Sequence, residues 1–345
     1  MKKFEIKQRN IRRLSAVLLS SALLMQPVAL HAGAAEQTKT VRLGGQPFGV
    51  KFYNDGVMVV DLEEFFSNGR YVCPARDGGL EKGDVIKKIN GAGIRTNEDV
   101  QAATKNGGST PVTFTVERDG KEIVKTVVPQ QNMSGLYLLG AWVRDSCAGI
   151  GTVTYYDDAQ HYFAALGHGI CDSDTARLMP LGSAEVVKAN ISSVSKSTTG
   201  KAGSLNGYFT EESLGQLTKN TNCGVFGTVN NENAQKGVTL ELAENGEIKL
   251  GKAQMYTTIE DETVGCYEVE ITEICNKDKQ SNENFVIKVT DGKLLDKCGG
   301  IVQGMSGSPL VQNGKLVGAV THVFLNSTHE GYGITAQNMV SNYQD

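Results

Sequence analysis

Residues 299–320 read GGIVQGMSGSPLVQNGKLVGAV. Pro309-Leu310-Val311 is an extended apolar step, Asn313-Gly314 is a preferred two-residue hairpin turn, and Leu316 to Val320 is the return strand. Ser306 therefore sits on a tight loop just before a hairpin, between Gly304 and Gly307. A serine hydroxyl is a weak nucleophile until a base takes its proton. Attack on an amide also creates an oxyanion, which backbone N–H groups stabilise well. Glycines on both sides let the backbone approach closely, so the run predicts Ser306 as nucleophile, with the Gly304 and Ser306 amides as oxyanion donors. The plain alternative is a glycine-rich lead into a hairpin. A lone G-x-S-G would not decide between them, and the full run is far more specific.

The base is usually a histidine, and the chain has five. His31 falls in the N-terminal leader, His161 lies beside a turn, and His329 sits in a polar Ser-Thr-His-Glu loop. His168, in ALGHGI, ends a strand between two glycines that leave room for a substrate. His322, in AVTHVF, sits in an apolar strand and reads as packing or pocket wall. His168 is the expected base on geometry.

Around this stretch the chain is rich in turns. Of 345 residues, 40 are glycine and 7 proline, and short alternating apolar runs predominate, which favours a mainly β protein. A net charge of −4 offers no basic surface for nucleic acid. There is neither a C-x-x-C pair nor H-E-x-x-H, so no metal site is expected. The seven cysteines read mostly as small buried hydrophobes, with Cys266 and Cys275 as a pair that could bridge a hairpin. Residues 1–36 carry a basic head, a twelve-residue apolar or small-residue run from Leu14 to Met25, and small residues after Pro27. This is an export pattern, either cleaved or kept as a short membrane anchor.

Residues 41–130 form a first unit. GLEKGDVIKKING (79–91) alternates turns and strands, Thr96 and Asp99 form a capping box that opens a helix, and two strands flank Asp119-Gly120. The unit resembles a PDZ domain. That resemblance implies a strand–helix groove for a peptide, or for a segment of this chain, with the amides of Phe48, Gly49 and Val50 facing a terminal carboxylate. Residues 131–147 read as a connector whose Trp142 is expected to pack at the edge of the second unit, 148–341.

The 299–320 run resembles the nucleophile loop of trypsin-like peptidases, and ALGHGI resembles their histidine loop. With WVRDSCAGIGTVTYY and the PDZ-like unit in front, the chain is similar to the SpoIVB family of sporulation serine peptidases. The resemblance implies a PDZ domain followed by a double β-barrel that needs no cofactor. It implies an exported enzyme, acting between forespore and mother cell, that cuts itself in its N-terminal segment. It further implies cleavage of a membrane-protein regulator of an intramembrane protease, on a path to a late sigma factor. It matches Asp291, fifteen residues before Ser306, to the family's third catalytic residue. Two other readings stay open: a quality-control protease of the HtrA type, in which the PDZ unit follows the peptidase, and an exported PDZ adaptor without catalysis.

Overall fold

The structure, a computed structural model, describes residues 39–230, 237–275, 278 and 280–344. The leader, with its export reading, lies outside them. The chain begins with β1 (Thr40–Leu43), β2 (Pro47–Leu62), the hairpin β3 (Phe65–Ser67) and β4 (Arg70–Val72), and the short helix α1 (Pro74–Asp77). β5 (Val85–Ile89), β6 (Ala92–Gly93), helix α2 (Asn97–Gly107), β7 (Val112–Arg118), β8 (Lys121–Val127), β9 (Gln130–Gln131) and β10 (Tyr137–Leu138) follow. The long strands come next: β11 (Ala141–Asp157), β12 (Tyr162–Ala165), β13 (Leu181–Ser195), β14 (Ser204–Thr221), β15 (Gly224–Val229) and β16 (Thr239–Leu242). The rest is β17 (Gly251–Thr258), β18 (Val264–Ile274), β19 (Phe285–Val289), helix α3 (Gly292–Cys298), β20 (Pro309–Gln312), β21 (Lys315–Phe324), β22 (Ser327–Thr335) and helix α4 (Ala336–Gln344).

The strand pairings close two rings. β2, β11, β12, β15, β14 and β13 pair in that order and return to β2, every neighbour antiparallel. β17, β18, β19, β22, β21 and β20 close a second antiparallel ring. Closure leaves neither barrel an open edge within its ring. Alternate residues fill the interiors: Phe48, Phe52 and Phe163 in the first barrel, Met255, Phe285 and Leu310 in the second. β1 pairs with β11 and with β16, and β16 pairs with β21, so these strands strap the barrels together. α4 covers the strapped side through Met339 and Val340. The expected mainly β, double-barrel architecture is what forms.

The boundaries differ from the expected ones. Residues 40–54 belong to the barrels, because β1 and the first half of β2 pair with β11, β13 and β16. β2 then continues into the smaller unit, where Val57 and Met58 pair with β5. That unit buries its own core, including Val59, Ile86, Val100, Phe114 and Val127. It is thus inserted into the double-barrel fold between β2 and β11, and does not precede it. Its helix α2 carries the expected capping box: Thr96 Oγ1 accepts the Asp99 N–H at 3.2 Å, and Asp99 Oδ2 accepts the Thr96 N–H at 3.0 Å.

The strand–helix groove is filled by this chain. Ala141 to Arg144 of β11 pair with Leu62 to Met58 of β2, and Ala141 and Val143 pack onto the core beside Val100 and Ala103 of α2. The Asn97 N–H at the start of α2 donates to Asp145 Oδ2 at 2.9 Å. The expected connector is therefore a strand of both units. Trp142 falls on the outward phase of this strand, 61% exposed, and its Nε1–H donates to Glu63 Oε2 at 2.7 Å. The expectation that it packs at a domain edge fails, because period-two alternation sends its neighbours inward. Cys266 and Cys275 also do not pair. Both thiols are free; Cys266 lies near the start of β18 and Cys275 just past its end, roughly 30 Å apart at 3.3 Å per residue.

Candidate active site

The nucleophile loop is held by the other barrel. On β11, the Thr152 N–H donates to Ser306 O at 3.0 Å, and Thr152 Oγ1 and Thr154 Oγ1 donate to Gly304 O and Gly307 O, each at 2.8 Å. From behind, the Gly307 N–H donates to Val320 O at 2.8 Å, while Met305 is completely buried. Gly304 and Gly307 have φ of +99° and +93°, and a side chain at Gly307 would collide with Thr152 O and the Leu166 backbone. The N–H groups of Gln303, Met305, Gly307 and Ser308 are all bonded. Those of Gly304 and Ser306 donate to no described group, so the two expected oxyanion donors are the two amides left free.

Ser306 and His168 line one cavity of about 600 Å³ between the barrels. Its walls are largely apolar, with Ile150, Leu166, Ile301, Val302 and Val323 among the lining residues. Ser306 Oγ donates to the Thr321 carbonyl at 2.8 Å. His168 Nδ1 lies 2.8 Å from Gly169 O. A carbonyl only accepts, so Nδ1 carries the proton and Nε2 keeps its lone pair. Burial first, and then the nearby His322, pull the His168 pKa down to about 4 against the opposing Gly169 bond, so the ring is neutral at pH 7. The His322 ring is 5.0 Å away, centroid to centroid, and burial lowers its pKa too. His322 is thus the expected pocket wall, and also an electrostatic neighbour of His168.

A model of the SpoIVB peptidase S55 family matches residues 135–340, which contain both barrels' site residues. The chain belongs to the SpoIVB peptidase S55 family. Curated relatives match shorter pieces. The putative zinc metalloprotease CPE1693 of Clostridium perfringens is 36% identical over 67 residues, 19% of this chain and 20% of that protein. The putative zinc metalloprotease mll0638 of Mesorhizobium japonicum is 34% identical over 114 residues, 30% of each. The chain thus spans less than a third of either relative, and it lacks the H-E-x-x-H of many zinc peptidases. Among solved structures, the HtrA-type protease AlgW with decapeptide aligns over 58% of this chain and 53% of its own, at 14% identity and a TM-score of 0.34. The Rv3671c protease in its inactive form aligns over 56% and 83%, at 12% identity and a TM-score of 0.32.

In this SpoIVB-family chain two expected site assignments take other places in the fold. Asp291 caps α3: its Oδ1 accepts the Leu294 N–H at 2.9 Å and its Oδ2 the Glu268 N–H at 3.4 Å. It does not line the cavity, and the group on His168 Nδ1 is the Gly169 carbonyl. Phe48, Gly49 and Val50 are not a carboxylate-binding loop. They lie in β2 between β11 and β13, with Phe48 and Val50 facing the cavity and Gly49 against the Phe209 ring. The sequence reading missed Thr152 and Thr154, which hold the loop, and the Gly169 carbonyl. It also missed Asp172 and Asp174, though the turn signal Asp-Ser-Asp four residues after His168 could have flagged them.

Proposed function

We propose that this protein is a regulatory serine endopeptidase in which Ser306 attacks, His168 serves as general base, and the Gly304 and Ser306 amides hold the oxyanion. What carries the reading is that Ser306 and His168 share one cleft in which those two amides are left without a partner. The Ser306 hydroxyl turns from Thr321 O toward His168 Nε2. Oγ bonds to the substrate carbonyl carbon as the proton passes to Nε2, and the carbonyl oxygen takes the negative charge between the two amides. Collapse breaks the C–N bond, and His168 returns the proton to the leaving amine. Water repeats the sequence to release the acid. The Gly169 carbonyl holds the ring in the productive tautomer, the part a carboxylate plays in a triad.

Family membership supports the rest of the reading: export, self-processing in the N-terminal segment, and cleavage of a membrane-protein regulator of an intramembrane protease during endospore formation. The PDZ reading of the smaller unit rests on residues 79–91. With β11 in its groove, that unit acts on its own chain first, and a partner peptide competes with β11. The HtrA-type alternative is less favoured, because the unit is inserted between β2 and β11 and does not follow the barrels.

Labelling with a fluorophosphonate, together with peptide turnover, tests the site. Wild type should label, while Ser306→Ala and His168→Ala should fold normally and lose turnover by on the order of 10⁴. Ser308 is fully buried, so Ser308→Ala should still label. Labelling that persists in Ser306→Ala but fails in Ser308→Ala would overturn the assignment.

A further inference from the structure

The segment after His168 hangs on one carboxylate. Asp172 Oδ1 accepts the N–H of Asp174 at 3.1 Å and of Thr175 at 2.8 Å, closing a turn. The Asp172 N–H donates to Arg177 O at 2.9 Å, and the Ala176 N–H to Asp172 O at 2.8 Å. Asn220 clamps the base of the loop: its Oδ1 accepts the Ile170 N–H at 2.8 Å, and its Nδ2 donates to Ile170 O and Met179 O, each at 2.9 Å. The far side is gripped by Arg144. Its Nη1 pairs with Asp172 Oδ2, and its Nη2 pairs with Asp174 Oδ2 at 2.7 Å. The Asp172 side chain is wholly buried, whereas Asp174 is half exposed. A buried carboxylate needs such a cation, and removing one partner strands the other. Arg144 is fixed in turn: it lies in β11 opposite Met58, and its carbonyl accepts Asn54 Nδ2 at 3.0 Å.

We infer that Arg144 is a positioning residue for catalysis, holding the loop that carries the Gly169 carbonyl, and so the His168 ring, through its ion pair with the buried Asp172. It does this from the strand whose preceding residues, Ala141 to Val143, fill the groove of the smaller unit. The inference rests on His168 serving Ser306, as proposed above. Displacing a catalytic group by about 1 Å can cost about 100-fold in rate, so loss of the grip should fall on kcat.

The full chain is compared as wild type, Arg144→Ala, Arg144→Lys, Asp174→Asn and Arg144→Ala/Asp172→Asn. Turnover of a peptide, the rate of fluorophosphonate labelling and thermal unfolding are measured for each. Arg144→Ala should lower kcat and labelling by roughly 10- to 100-fold with KM within about threefold. Arg144→Lys keeps a charge at Asp172 and should recover most of the rate, and Asp174→Asn should cost little. The double variant removes the stranded charge, while the amide oxygen that replaces the carboxylate can still accept the turn N–H groups, so it should turn over faster than Arg144→Ala. If Arg144→Ala does not fold, Arg144→Lys and the double variant carry the test. Wild-type kcat in Arg144→Ala, or in its place an unrecovered double variant, overturns the inference. So does a double variant no faster than a folded Arg144→Ala. Failure of the underlying site reading shows separately, as undiminished labelling in His168→Ala.

Discussion

Burial and the neighbouring His322 ring hold the His168 pKa down to about 4, and with His168 as the proposed base that value sets the acid limb of the reaction. A base works when unprotonated, so kcat/KM should rise with pH through an apparent pKa near 4 and then stay level through neutrality. His322→Ala removes a neighbour that opposes protonation and admits water to the ring, so the limb should move up toward the ordinary histidine value of about 6.5. A pH series of labelling rates on both proteins checks this; an unmoved limb would mean that His322 has no electrostatic hold on His168. Asp291 gives a second test. Asparagine caps helices about as well as aspartate, so Asp291→Asn should keep near-normal turnover, whereas Asp291→Ala should cost about 1 kcal/mol of stability. Loss of turnover by orders of magnitude in Asp291→Asn would restore it to the catalytic set. That Ser306 and His168 come to one cleft is legible in the sequence because their glycine settings are local. Asp291 is not, since an acid before a short helix and a triad acid look alike until tertiary contacts separate them. The separation of 28 positions between Arg144 and Asp172 hides their pairing for the same reason.

Elements with local causes are legible too. The hairpin of β20 and β21 turns at Asn313 and Gly314, both at positive φ (52° and 77°), and α2 begins at its capping box. β2 misleads because its partners β11 and β13 lie far along the chain. Its Pro-Phe-Gly-Val step looks like the entry to a peptide groove, yet both edges of that step are paired within the first barrel. Gly49→Leu should therefore break the barrel by driving a side chain into Phe209, lowering thermal stability and labelling together. A variant that melts normally and labels normally but loses peptide binding would favour the groove after all. Gly307→Ala meets Thr152 O and a positive φ at once, and should abolish activity even where the barrels still fold. Circular dichroism with labelling separates those effects.

At the scale of the molecule, the smaller unit cannot be cut out at residues 41 and 130. Such a fragment carries barrel strands without their partners and leaves out Ala141 and Val143, which complete the core of the unit. Residues 41–130 alone should show poor amide-exchange protection, and a fragment from 56 to 145 should fold better. Equal protection in both would show that β11 is dispensable to the unit. The insertion between β2 and β11 also orders events in time. As the chain emerges, residues 57–127 can already collapse among themselves, whereas Phe48 waits for Gly151 and Lys188, and the first ring closes only with β15. Such distant pairings form late. Phe48 and its neighbours in β2 are thus made before residues 57–127 yet secured after them, and that stretch of a new chain stays open to proteolysis until the barrel shuts behind it.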